Sequence, residues 1–167
     1  MTQLTRQIVL DALSVERVAL LTLLARIEDE VWQDLTREDG WCVHDIVAHV
    51  ADQHLGTVAI SGVAARPEWA TVGVTLPMQA DGRINRERLN MLRYQLNRHH
   101  SRKDVMTRLD EGFRAVGETV EGLDEQRLAG PGPYGQSETM LEWFFDTVEH
   151  NREHRLELER ILKQASD

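Results

Sequence analysis

An all-α four-helix bundle is the fold this sequence predicts, and three observations predict it. Apolar residues recur at helical spacing over four long stretches, no stretch alternates with the period of two that a strand needs, and three of the stretches open on a capping box. The 167 residues suit one domain, 1–167, and would bury about two-thirds of the surface of the unfolded chain, so neither a metal nor a disulfide is needed merely to hold it together.

The first helix is expected from Leu4 to about Leu35, because Leu4, Ile8, Ala12, Val15, Leu20, Leu24, Ile27 and Val31 recur every three to five residues with no Pro or Gly between them. "TREDG" breaks it. "WCVHD" then starts the second helix, with Cys42 in the N-cap place usually held by Ser or Thr, Asp45 as its capping-box acid, and Trp41 and Ile46 as the hydrophobic staple. That helix is expected to run to about Ala64, turning Val43, Ile46, Val47, Val50, Ile60 and Val63 inward, with Gly56 and Gly62 weakening its second half. The connector from Arg66 to Gly82 carries two prolines and two glycines and has no helical period. Connectors this long are often functional, commonly as lids. Fully extended it spans about 55 Å at about 3.3 Å per residue, enough to travel the length of a bundle and start the third helix parallel to the second, so an up-down-down-up order with a crossover is allowed.

The third helix is split. "INRERLNMLRYQLNRHH" is one piece, and Ser101 with Asp104 caps a second that ends near Gly122. "DEQRLAGPGPYGQSE" reads as loop, after which Thr139 and Glu142 cap a fourth helix running almost to the end, burying Leu141, Phe144, Phe145, Val148 and Leu162.

Charge narrows the function. Lys plus Arg number 19 against 28 Asp plus Glu, a net charge of -9, which is the wrong sign for affinity built on phosphate contacts, so a nucleic-acid partner is not expected. The single cysteine, Cys42, and an N-terminal stretch interrupted by charges point to a reduced, cytoplasmic protein. No window has the apolar length to cross a bilayer and no lipidation signal is present, so membrane association is not expected either.

The stretch that carries chemistry is "EHNREH", Glu149 to His154. Histidines at i and i+4 share one helical face and can grip a single ion. "HNREH" also matches the inverted zinc-protease pattern, with Glu153 as general base, but there a third ligand lies well downstream, and the residues after His154 continue the same helix. A third ligand must come from elsewhere. The best donor is His49, beside the Ile46 and Val50 stripe of the second helix; its alternative is a satisfied core histidine. Asp45 and Asp146 each stand four residues before a candidate ligand and can meet that histidine's second nitrogen, or else Asp45 only caps its helix and Asp146 is solvated. His44, His54, His99 and His100 carry less, the last two belonging to a basic corner with Arg98, Arg102 and Lys103. Cys42 reads as a cap in preference to a reactive thiol. "GPGPYG" fits the dinucleotide glycine pattern in letters only, because no strand precedes it.

"DGWCVHDIVAHVADQH" resembles the signature that opens the second helix of the DinB-like (YfiT-like) metalloenzymes, and "DTVEHNREHRLELERIL" resembles their closing helix. That family includes bacillithiol transferases, mycothiol-dependent maleylpyruvate isomerases and ClbS-type proteins. The resemblance implies that His49, His150 and His154 hold one divalent ion, zinc or nickel, with an open position for a low-molecular-weight thiol or water. It implies a small-molecule substrate, a metal-dependent transferase or hydrolase activity on an electrophile, and often a homodimer. His150 departs from the isomerase branch, which can have glutamate there. Glu149 and Glu153 are the nearest candidates for proton transfer, and Trp41, Trp69 and Trp143 could wall the pocket, core packing being the expected duty of Trp41 and Trp143. The rival reading from another class is a non-catalytic bundle that binds without metal chemistry.

Overall fold

The computed structural model describes residues 3–34, 40–61, 79–80, 85–132 and 138–166. Among them the regular structure is helical: α1 (Arg6–Leu24), α2 (Val31–Asp34), α3 (Val43–Ile60), α4 (Arg86–Asn97), α5 (Arg102–Gly122), α6 (Glu125–Ala129) and α7 (Met140–Ser166). The Arg66 to Gly82 connector, with its lid reading and Trp69, lies outside the described residues apart from 79–80. None of the described helices is long and apolar enough to cross a membrane.

Helix α1 starts on Thr5, whose hydroxyl accepts from Ile8 N, and its buried stripe is Val9, Leu13, Glu16, Leu20 and Leu24. This corrects the phase expected from Ile8, Ala12 and Val15; Val15 is 69% exposed. The stripe contains a glutamate, which an apolar count passes over. Glu16 is buried because Arg155 of α7 donates to it at 2.7 Å, and a carboxylate enters a core only when so paired. The first helix also stops eleven residues short of Leu35. Its last turn tightens, with Arg26 N bonding Leu23 O and Ile27 N bonding Leu24 O, and Arg102 of α5 donates to the same Leu24 carbonyl at 3.0 Å. The Arg102 guanidinium also pairs with Asp29 and lies 4.4 Å over the Trp32 ring. Ile27 and Trp32 thereby return to the core after a turn that has neither Pro nor Gly.

The caps fall where the sequence places them. Asp45 accepts from both the backbone N and the Sγ of Cys42, Ser101 and Asp104 close the box on α5, and Glu142 accepts from Thr139 N and Oγ1 at the start of α7. Asn85 caps α4. The stretch expected as loop contains α6, capped by Asp124 and anchored by buried Leu128; five residues are too few to show a period. The ends of the loop that follows are joined by a β-bridge between Pro131 and Thr139.

Helix α3 packs most extensively on α5 and α1 on α7, while α1 against α5 and α3 against α7 close the square; α4 lies on α3. Contacts along α3 and α5 run in the same sense, His44 meeting the His100 carbonyl and Asp52 meeting Arg108. Along α1 and α5 they run oppositely, Arg17 meeting Asp110 and Arg6 meeting the Leu123 carbonyl. The sense is also opposite along α3 and α7, where Thr57 meets Thr147 and His54 meets Asn151.

Helices α3 and α5 approach closely at Gly112, where an added Cβ would stand 2.8 Å from the Cβ of His54. Alanine there gains about 1 kcal/mol of helix propensity but overpacks a contact that can relax only by moving a helix. Gly112→Ala is therefore expected to destabilise the protein by up to about 2 kcal/mol net in urea unfolding. Gly122, which faces open space, is the control; equal stability of the two alanine variants would refute the close-approach reading.

Candidate metal centre

His49 enters the site from the second turn of α3, buried beside Ile46 and Val50, and His150 and His154 enter from one face of α7. His49 Nε2 stands 3.2 Å from His150 Nε2. The three rings are mutually close to perpendicular, with centroid separations of 5.4, 5.1 and 4.5 Å, and one nitrogen from each lies within 4.8 Å of the others. Three ring nitrogens converge here. That is how imidazoles surround a cation.

The chemistry of the donor set supports that fit. His154 Nδ1 is 2.8 Å from Glu157 Oε2, so the carboxylate holds the proton on Nδ1 and leaves Nε2 as a lone-pair donor. His154 Nε2 is buried and has no hydrogen-bond partner among the described residues. A buried acceptor left in that state costs free energy, and a cation shared with His49 and His150 removes the cost.

For the two aspartates the structure shows the second of the readings the sequence left open, Asp45 capping its helix and Asp146 exposed. Asp45 lines the cleft beside His49, but its oxygens serve the helix start, accepting from Cys42 and lying 3.8 Å from His44 Nδ1. Burial works to raise its pKa, and the nearby His44 together with the hydrogen bonds from Cys42 outweighs burial and holds it below the usual carboxylate value. Asp146 is exposed on α7. Glu153 is exposed as well, and Glu149 lies 3.7 Å from Arg152. An acid that does meet one of the three histidines is Glu157, which pairs with His154 and which the sequence reading missed. Its signal was the spacing: side chains of a helix lean toward its N-terminus, so an acid three residues after a histidine leans back onto it.

Trp41 stands edge-on to His49 at 5.4 Å and stacks on Tyr94 of α4 at 6.2 Å. As expected it packs against the core, and it also walls a cleft shared with His49, Tyr94, Asn90, Arg93 and Asn97. Trp143 likewise packs at the core edge, against Phe144. Cys42 is a cap: burial first, and then its hydrogen bond to Asp45, push the thiol up to about 11, leaving it protonated at neutral pH.

A model of the DinB superfamily matches residues 12–158. The chain belongs to the DinB superfamily. No match was found among curated proteins or among solved structures. The matched span takes in both histidine segments and Glu157, so this DinB protein carries within its family domain a three-histidine group that can hold a metal ion.

Beneath the three histidines of this DinB chain lies a second polar layer. His54 is fully buried, and its Nε2 is 2.7 Å from Asn151 Nδ2, from which it accepts. Burial pushes its pKa down from 6.5 to about 4, and His150 adds to the depression. The unfolded chain takes up this proton near pH 6.5 and the folded one only near 4, so the contribution is intact above 6.5 and lost as pH falls through that window, by about 3 kcal/mol in full. In metal-free protein, urea unfolding of wild type should weaken more between pH 7 and pH 4.5 than that of His54→Gln. His44 and Asp52, whose pKa values are raised on folding, contribute with the opposite sign but are common to both proteins. Identical pH slopes would rule out His54 as the titrating group.

Proposed function

We propose that His49, His150 and His154 hold one divalent ion, zinc or nickel, and that the protein is a metal-dependent transferase or hydrolase acting on a small electrophilic molecule, with a low-molecular-weight thiol as co-substrate in the transferase form. The observation that carries the reading is the convergence of three imidazole nitrogens within 4.8 Å around a His154 Nε2 that is buried and otherwise unpartnered among the described residues. An ion held by three neutral imidazoles supplies Lewis acidity, bringing a bound water or thiol toward ionisation at neutral pH.

The rest falls to the chain's own side chains. Glu157 fixes the His154 tautomer. Trp41 and Tyr94, stacked on each other, form the aromatic wall of the cleft beside His49, while Asn90, Arg93 and Asn97 give the same cleft its polar side. Asp45, and not Glu149 or Glu153, is the carboxylate lining that cleft.

The test is elemental analysis of untagged protein purified without chelator, followed by assays of electrophile loss with and without added thiols. About one zinc or nickel per chain, with turnover that a chelator abolishes and the metal restores, is the expected result. A protein that takes up neither metal and whose unfolding a chelator leaves unmoved would instead be a non-catalytic binding module.

A further inference from the structure

The geometry points to Gln53 as a fourth donor to the ion at the three-histidine centre, an inference that rests on the metal reading above. Gln53 follows His49 by four residues on α3 and so occupies the same helical face one turn on. Its carboxamide nitrogen lies 3.4 Å from His150 Nε2, the same atom that stands 3.2 Å from His49 Nε2. Hydrogen bonding accounts poorly for that pair of distances. Nε2 of an imidazole has either one proton or one lone pair to offer, and here it would be divided between two partners in either tautomer.

A shared cation accounts for both distances. Metal–nitrogen bonds of about 2.0–2.1 Å put the donors of a tetrahedral ion about 3.3–3.4 Å apart, close to the 3.2 and 3.4 Å found on either side of His150 Nε2. A half-turn about Cγ–Cδ brings the carboxamide oxygen, a neutral donor, to the place of the nitrogen. Gln53 is partly exposed while His49 is buried, so the amide closes the site on its more open side. It is also the weakest donor of the four, and the one that an incoming anionic group would displace.

The experiment measures zinc and nickel affinity of metal-free, full-length protein by competition with a chromophoric chelator, for wild type, Gln53→Leu and Gln53→Glu, with helical content checked by circular dichroism. A fourth donor predicts that leucine weakens binding by about tenfold and that glutamate, which keeps the reach and adds charge, binds more tightly than wild type. Affinities unchanged in both variants, or weakened in both, would overturn the donor role while leaving the three-histidine centre in place. Failure of wild type itself to bind either metal would overturn both readings together.

Discussion

Replacing His150 and His154 together by alanine should strip the protein of the metal proposed above while leaving its helices intact. Two of three imidazoles are lost, and His49 alone is one ligand on one helix. The loss of affinity should exceed the roughly hundredfold that removal of a single orienting partner can cost. The fold should tolerate the change, because both side chains are only partly buried and the substitution removes a buried nitrogen that has no hydrogen-bond partner among the described residues. Elemental analysis after dialysis, beside far-ultraviolet circular dichroism, checks both halves. A double variant that still carries as much metal as wild type would place the ion elsewhere and end the three-histidine assignment.

Asp52→Ala should cost about 3–5 kcal/mol of stability, as much as truncating a buried aromatic of the core. Asp52 accepts from Arg108 NH2 at 2.7 Å and from the Asn97 amide, and Arg108 NH1 donates to Asn97 Oδ1 at 2.6 Å. This closed triangle ties α3, the last residue of α4 and the second turn of α5 together. It is not a large net stabiliser in its own right. Burial raises the Asp52 pKa despite the opposing charge of Arg108, the Asn97 hydrogen bond and the further charges of Arg93 and His100, so the ionised carboxylate is held at a cost. The damage on removal comes from what is left behind, a largely buried guanidinium and a buried amide without their acceptor. Urea unfolding of Asp52→Ala, Arg108→Met and the double variant separates the two effects. The double should be less destabilised than the sum of the singles, and strict additivity would show that the triangle is not coupled.

Local chemistry is what the sequence made legible. Cys42 with Asp45, Ser101 with Asp104 and Thr139 with Glu142 depend on residues three apart and appear where expected. His150 and His154 share a face because helical geometry requires it, and His49 meets them because it lies next to the apolar stripe of α3. What escaped depends on partners distant in sequence. Glu16 could not be assigned to the core without Arg155, which is 139 residues away. Nothing between Leu24 and Val31 breaks a helix by composition; the end of α1 is held by Arg102. Glu157 was a different kind of miss, visible in the spacing but sought on the wrong side of the histidine.

The shared sense of α3 and α5 has a kinetic consequence. Helices joined by a short turn can zip as a hairpin, but the α3–α5 contacts join residues 56 apart, the α1–α5 ion pair 93, and the histidine contact 101. Each such closure loses chain entropy before any burial compensates, so this bundle should fold more slowly than a simple up-and-down bundle of its size. Helix α7 covers both α1 and α3. During synthesis the buried face of the N-terminal helix, Glu16 included, therefore waits for nearly the whole chain to emerge, and the histidine cluster assembles among the last contacts to form.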